Sequence, residues 1–301
     1  MLHTAEKKKI LVTGGSGFLG RHLAAELSKV YDVVFTYAAR RANISRCTPI
    51  QINFLHPSTM DSGLKEVEPD VVIHAAALAD AAECEASHEK AVAINVTGTE
   101  RLIKALPNPE VLFIYISTDL VFDGNHAPYD ESAEPQPIGF YGKTKRSAEQ
   151  LVQRMCRNHV IVRSALMFGP ETPNGRGSFV QWMDRAFQEQ DTLSLFCDEY
   201  RSPVYVKDVI KAVRSLVQRV GGHRIYHVGG PERISRAEFG KRLAALRGYD
   251  ASKIHPVTLS ELSTGYPRPA DVSLVSTRIQ NAHAVKPTSI EDGLRETFNL
   301  K

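Results

Sequence analysis

No window of the chain is apolar for long enough to span a bilayer. The N-terminus carries no apolar segment of the kind found in secretory signals, so a cytoplasmic location is expected. Cysteine is sparse: Cys47, Cys84, Cys156 and Cys197 stand far apart, without metal-ligand spacing, as free thiols do in a reducing compartment. A disulfide framework is therefore not expected. Eleven histidines are equally scattered, which argues against a metal centre. Charge of one sign is not concentrated either, since 37 Lys and Arg face 34 Asp and Glu, for a net charge of +3. That dispersion excludes the basic stripe of a nucleic-acid binder, and Lys7-Lys8-Lys9 reads as a solvated lead-in to the first strand. There is no internal repeat and no low-complexity tract. What remains is a globular composition, 43% hydrophobic and 24% charged over 301 residues, enough for one large domain or two.

Strand-like apolar runs recur at Ile10–Thr13, Val33–Tyr37, Val71–His74, Val111–Ser117 and Val160–Arg163. Helix-length segments lie between them with apolar spacing of about 3.6, as in Phe18-Leu19-His22-Leu23-Leu27 and Val92-Ala93-Val96-Leu102-Ile103-Leu106. Such alternation predicts an α/β fold, a Rossmann-type doubly wound parallel sheet with right-handed crossovers. From about Gly169 the pattern loosens around Gly169-Pro170-Glu171-Thr172-Pro173-Asn174-Gly175. The expected organisation is a dinucleotide-binding domain over 1–168 and a smaller substrate-binding lobe over 169–301, some segments of which return to the sheet.

Between the first strand and first helix stands Thr13-Gly14-Gly15-Ser16-Gly17-Phe18-Leu19-Gly20. Glycines here allow the tight turn, the approach of backbone to a pyrophosphate and the packing of helix on strand, while N–H groups of the first helical turn face the anion. Gly14, Gly17, Phe18, Leu19 and Gly20 are thus candidate cofactor ligands. Glycines at such spacing also occur in plain turns; the flanking strand and helix supply the missing context. A carboxylate near the end of the second strand would favour NAD, but the only nearby acid, Asp32, lies at the wrong end. Arg40 and Arg41, with Arg21, offer cations for a 2′-phosphate instead, pointing to NADP; the alternative is that they are solvated surface charge. Ala75, Ala76 and Ala77 are small enough for the cofactor ribose to approach, or for helix-sheet packing, and Asn53 and Phe54 are candidates to flank the adenine.

Tyr141 and Lys145 are four apart, on one helix face. A phenol has a pKa of about 10, and a nearby ammonium would bring it toward neutrality. Thr118, at the end of its strand, adds a second hydroxyl where an alkoxide would develop. Singly these residues are unremarkable surface or strand-end groups; together, behind a nucleotide loop, they form a carbonyl-reducing set. His74, inside a strand, reads as a hydrogen-bonded core residue, and Cys84 as inert because Glu83 and Glu85 would raise its pKa.

These motifs resemble the extended short-chain dehydrogenase/reductase family over essentially the whole chain. More narrowly, Ile116-Ser117-Thr118-Asp119-Leu120-Val121-Phe122-Asp123-Gly124, Pro128-Tyr129 and Tyr141-Gly142-Lys143-Thr144-Lys145 look like its dTDP-4-dehydrorhamnose reductase branch. That branch includes reductases of 4-keto sugar nucleotides and relatives of the regulatory beta subunit of methionine adenosyltransferase, which binds NADP and serves as a partner protein. The resemblance implies Tyr141 as proton donor, Lys145 on the nicotinamide ribose, and Thr118 and Asp119 on the substrate side. Arg268, in Arg268-Pro269-Ala270-Asp271, would hold the substrate diphosphate. Asn95 falls where the family uses an Asn to hold a helix kink. Arg201-Ser202-Pro203 stands where the reductases show Gly-x-Pro-Thr; Arg201 is either a second substrate cation or the partner of Asp198 or Glu199. The implied activity is NADPH-dependent reduction of a nucleotide-linked 4-keto-6-deoxy sugar. The alternatives are reduction of another small ketone, or an NADP-binding regulatory subunit docked on a methionine adenosyltransferase. A homodimer is common in the family.

Overall fold

A computed structural model describes residues 7–64, 67–172, 177–189 and 191–300. Pro173, Asn174 and Gly175 of the Gly- and Pro-rich stretch, and the first six residues, lie outside the described residues.

The apolar runs form strands because each is buried along its length, as parallel strands covered on both faces must be. They are β1 (Lys9–Thr13), β2 (Asp32–Tyr37), β4 (Val71–His74), β5 (Leu112–Thr118) and β6 (His159–Ser164), and β3 (Cys47–Gln51) joins them at the sheet edge. A seventh strand, Ile225–Val228, comes from the second half of the chain, and all pair in parallel in the order Ile225–Val228, β6, β5, β4, β1, β2, β3. This is the doubly wound order, with the strand order reversing beside β1, where ligands bind in such sheets. Strand β3 was not expected from the sequence. It lies at the sheet edge, half-exposed, and carries Pro49, which an edge strand tolerates because that side needs no ladder donor.

Helix α1 (Phe18–Leu27) buries Leu19, Leu23, Ala24 and Leu27 against the sheet. The apolar segment from His88 to Ala105 is helical but not uniformly α: a π-helical turn, Ala93–Thr97, interrupts it. Asn95 occupies that turn. In the second half, Leu193–Phe196 pairs with Ile254–Val257, and the antiparallel ribbon of Tyr200–Arg201 with Ile234–Ser235 precedes the helix Arg236–Arg247. One apolar cluster runs from Ile10 and Val12 through Phe168 to Phe239 and Leu294, so both halves share a core.

His74 and His227 are buried in that interior. Thr99 Oγ1 donates to the Asn95 carbonyl at 2.7 Å, so the 2.8 Å contact to His74 requires Nε2–H as donor. Nδ1 of His74 then accepts from Thr13 Oγ1 at 2.6 Å. His227 Nδ1 donates to the Tyr129 carbonyl at 3.1 Å. Burial, reinforced by Lys145 and Arg163 respectively, lowers both imidazoles to a pKa of about 3. Between that value and an unfolded value of about 6.5, the unfolded chain binds more protons, so stability falls as pH drops. Each histidine contributes up to about 1.4 kcal/mol per pH unit in that window. Urea unfolding at pH 6.5 and 5.5 should show a lower midpoint at 5.5; an unchanged or higher midpoint contradicts the assignment.

Candidate functional site

The loop after β1 is shaped by what glycine permits. Gly14 has φ +70°, and a Cβ there would lie 2.8 Å from the backbone of Ala76. At Gly20 a Cβ would lie 2.2 Å from the Gly14 carbonyl, and at Gly15 one would strike the Phe35 ring at 2.5 Å. The turn is closed by Gly17 N–H donating to the Gly14 carbonyl at 2.9 Å, and Gly17 caps α1 without a side-chain bond. The first-turn donors at Phe18 and Leu19 are therefore presented as an anion cradle. Ala75, Ala76 and Ala77 follow β4 directly against this loop, with Ala76 N–H donating to Thr13 Oγ1 at 3.1 Å. The arrangement fits a dinucleotide pyrophosphate.

Arg40 and Arg41 lie exposed beyond the C-terminal end of β2, and neither forms an ion pair among the described residues. Asp32 begins β2 at its opposite end. Arg21 is buried beside the loop, its Nε donating to the Ser16 carbonyl at 3.2 Å. Asn53 is half-buried, its Oδ1 accepting from Leu55 N–H at 3.0 Å. Phe54 differs from expectation: it is a core residue, edge-on to His74 with ring centroids 5.7 Å apart and seated over Gly98.

Tyr141 and Lys145 lie on the helix Phe140–Met155. Gly142 lets this helix approach the turn after β5, since a Cβ there would meet the Leu120 carbonyl at 2.1 Å. Asn95 ties the helix to the preceding segment. Its Oδ1 accepts from Leu78 N–H at 2.8 Å, and its Nδ2 donates to the Leu78 carbonyl at 3.1 Å and to Thr144 Oγ1 at 3.0 Å. Thr118 caps the short turn after β5, accepting from Leu120 N–H at 3.1 Å and donating to Asp119 Oδ1 at 3.1 Å.

The electrostatics differ from the simple tyrosine-ammonium picture. Lys145 is buried, its Nζ donating to the Ile116 carbonyl at 2.7 Å and lying 4.2 Å from the Tyr115 ring centroid. Burial lowers its pKa to about 7. The Tyr141 hydroxyl is pushed above the ordinary tyrosine value, first by burial, then by Asp119 and Cys84, while a hydrogen bond with Thr118 acts the other way. Tyr141 is thus a protonated donor across the neutral range. Cys84 is buried, its thiol raised to about 11 by burial and by Asp80, Glu83 and Glu85.

Tyr141 lines a cavity of about 210 Å³, which Arg201, Arg236 and Arg268 line as well. Arg201 Nη1 donates to both Asp119 oxygens at 3.0 Å, and Nη2 to Glu199 at 3.1 Å. One of its expected partners, Glu199, is present; the other, Asp198, instead accepts from Leu259 N–H at 2.9 Å, and Asp119 takes its place. Arg268 pairs with Glu199 through Nε at 3.0 Å and through Nη2, and bonds the Tyr266 hydroxyl. Sequence reading thus located Thr118, Asp119, Tyr141, Arg201 and Arg268, which the fold gathers at one end of the sheet, and missed Arg236. Arg236 reads in sequence as an ordinary helix-start cation; only the pairing of Ser235 opposite Tyr200 sets it beside Glu199 and Arg201.

Among the described residues no group of three or more His, Cys, Asp and Glu could hold a metal ion, and no helix is long and apolar enough to cross a membrane.

Known proteins with the same architecture are readily found. The chain is 30% identical over 289 residues to the spore coat polysaccharide biosynthesis protein SpsK of Bacillus subtilis, covering 96% of each. It is 27% identical to the methionine adenosyltransferase 2 subunit beta of Xenopus laevis, covering 98% of this chain and 88% of that one. A crystal structure of dTDP-4-dehydrorhamnose reductase from Bacillus anthracis in complex with NADP superimposes with a TM-score of 0.84 at 26% identity, covering 97% of this chain and 99% of that one. The family described as RmlD substrate binding domain matches residues 8–300. With that match spanning the glycine loop, the Tyr141 helix and the arginine wall alike, the chain belongs to the RmlD substrate binding domain family, within the extended short-chain dehydrogenases/reductases.

Proposed function

We propose that the chain is an NADPH-dependent carbonyl reductase acting on a nucleotide-linked 4-keto-6-deoxy sugar. The observation that carries this reading is the shared cavity: a protonated phenol, Tyr141, and three arginines line one cavity, so one substrate can present a carbonyl to the first and a diphosphate to the second. Residues 1–168 would hold the dinucleotide and residues 169–301 most of the substrate, with Ile225–Val228 returning to the sheet. Bound NADPH supplies the hydride. Tyr141 gives its proton to the carbonyl oxygen, Thr118 holds the Tyr141 hydroxyl, and Arg268 takes up the diphosphate. Lys145 lies four residues along the same helix face and would meet the nicotinamide ribose, exchanging its bond to Ile116.

Mixing the protein with NADPH and dTDP-4-keto-6-deoxyglucose should deplete absorbance of the reduced nicotinamide. No depletion, together with co-purification of a methionine adenosyltransferase, would favour the regulatory-subunit reading that the Xenopus relative raises; no depletion with this sugar but depletion with other small ketones would favour a different reductase. Cofactor choice is tested separately. Replacing Arg40 and Arg41 with Ser removes the exposed cations beyond β2. A lost charge-assisted bond of about 1.5–3 kcal/mol should weaken NADPH roughly ten- to a hundredfold. NADH affinity should hardly change; equal losses for both nucleotides would refute the assignment. A homodimer in the cytoplasm completes the proposed picture.

A further inference from the structure

We infer that Arg236 is a substrate-anion contact of this chain, the one cation in the arginine wall left without an acceptor of its own; the inference deepens the nucleotide-sugar reading and rests on it. Arg201 and Arg268 spend their guanidinium edges on Asp119 and Glu199, which are buried. Arg236 does not. Among the described residues its guanidinium makes no hydrogen bond and no ion pair; it lies over the Phe179 ring, 4.7 Å from the centroid, and lines the same cavity as Tyr141. Its neighbour contributes a second unsatisfied donor: Arg201 Nε is buried with no partner. A half-buried guanidinium without an acceptor is costly unless a ligand supplies one.

Asp119 and Glu199 pair with Arg201 and Arg268, which leaves Arg236 as the guanidinium of this wall with no ion pair of its own among the described residues. Glu85 also lines the cavity, and its carboxylate accepts from Phe140 N–H at 3.0 Å. Burial lowers the Arg236 pKa to about 10, the expected direction for a cation lacking full pairing, yet it stays charged near neutrality. The local backbone sharpens the point. Arg236 is the first residue of the helix Arg236–Arg247, where the helix dipole opposes a cation and favours an anion. A phosphate there is met by a planar donor fork. The ligand class that fits is a diphosphate ester, with the carbonyl of its sugar directed to Tyr141.

The test uses the full chain and its R236M and R236K variants, titrated with dTDP and, separately, with inorganic pyrophosphate in the presence of NADP. R236M should weaken binding of both at least tenfold and raise the KM for the keto-sugar nucleotide by a similar factor, with kcat and NADPH affinity unchanged. R236K should recover part of the loss. A purely structural arginine would lower the melting temperature without this split. R236M that binds dTDP and pyrophosphate as tightly as the unaltered chain overturns the inference. Should the unaltered chain turn over the keto-sugar and R236M keep its KM, the inference fails while the reductase reading stands. Should pyrophosphate binding depend on Arg236 with no turnover of any keto-sugar nucleotide, the anion site stands and the reductase reading fails.

Discussion

Tyr141→Phe is expected to lower kcat by about 10²- to 10⁴-fold, the range associated with loss of a positioned general acid, and to leave NADPH binding intact. The substitution keeps the ring and removes only the hydroxyl. No neighbouring group can take over easily. Thr118 already accepts from Leu120 N–H and donates to Asp119; Asp119 is fixed by Arg201, and Glu85 accepts from Phe140 N–H. Lys145 is held at the Ile116 carbonyl, under the helix. Because burial and Asp119 raise the Tyr141 hydroxyl, the acid form persists through neutral pH, and its loss should be equally severe at pH 6 and pH 8. Single-turnover reduction followed by nicotinamide absorbance, with cofactor affinity measured alongside, separates the outcomes. Turnover within tenfold of the unaltered protein would remove Tyr141 from the chemistry; loss of NADPH affinity would make it a cofactor-binding residue.

The parts of this arrangement that could be read in advance are those with a local signal. A buried parallel strand needs a continuous apolar run, so β4 was located at its observed bounds, Val71–His74, and the other long strands within a residue at either end. Helix α1 begins where the glycine loop requires it to. What escaped notice depends on partners distant in the chain. Strand β3 is half polar because it is an edge, and nothing in Cys47-Thr48-Pro49-Ile50-Gln51 resembles a buried strand. Ile225–Val228 is short, and only its pairing with β6 identifies it. The π-helical turn at Ala93–Thr97 fits the apolar periodicity of an ordinary helix; its presence is explained by Asn95 bonding both backbone groups of Leu78. Asp119 and Arg201 are 82 residues apart, and no spacing rule connects them. The expectation that Lys145 acidifies Tyr141 treated two residues on one helix face as neighbours in water, whereas burial dominates both groups.

The largest loss of stability should follow Glu149→Ala. Glu149 is fully buried on the helix that carries Tyr141 and Lys145. Its carboxylate accepts from Ser117 Oγ at 2.6 Å, from Arg163 Nε and Nη2 at 2.9 Å each, and from Arg146 Nη1 at 3.2 Å. Arg163 is itself only 1% exposed, with Phe122 and His227 on its other sides. Truncating the acid strands a buried guanidinium, a change that costs about 3–5 kcal/mol where one partner of such a pair is removed. Breaking the pair and deleting the pair are different experiments. Glu149→Leu combined with Arg163→Met removes both charges, and replacements of that kind are often neutral or stabilising, so the double variant should regain most of the lost stability. Urea unfolding of Glu149→Leu, Arg163→Met and the double gives the coupling directly; a loss under about 1 kcal/mol for Glu149→Ala would show that solvent reaches Arg163. Activity adds a second readout. Glu149 opposes the burial effect on Lys145 by favouring its charged form, and Ser117, which it holds, immediately precedes Thr118. The double variant should therefore be stable yet slower than the unaltered chain, because refilling the core does not replace the carboxylate that favours the charged form of Lys145.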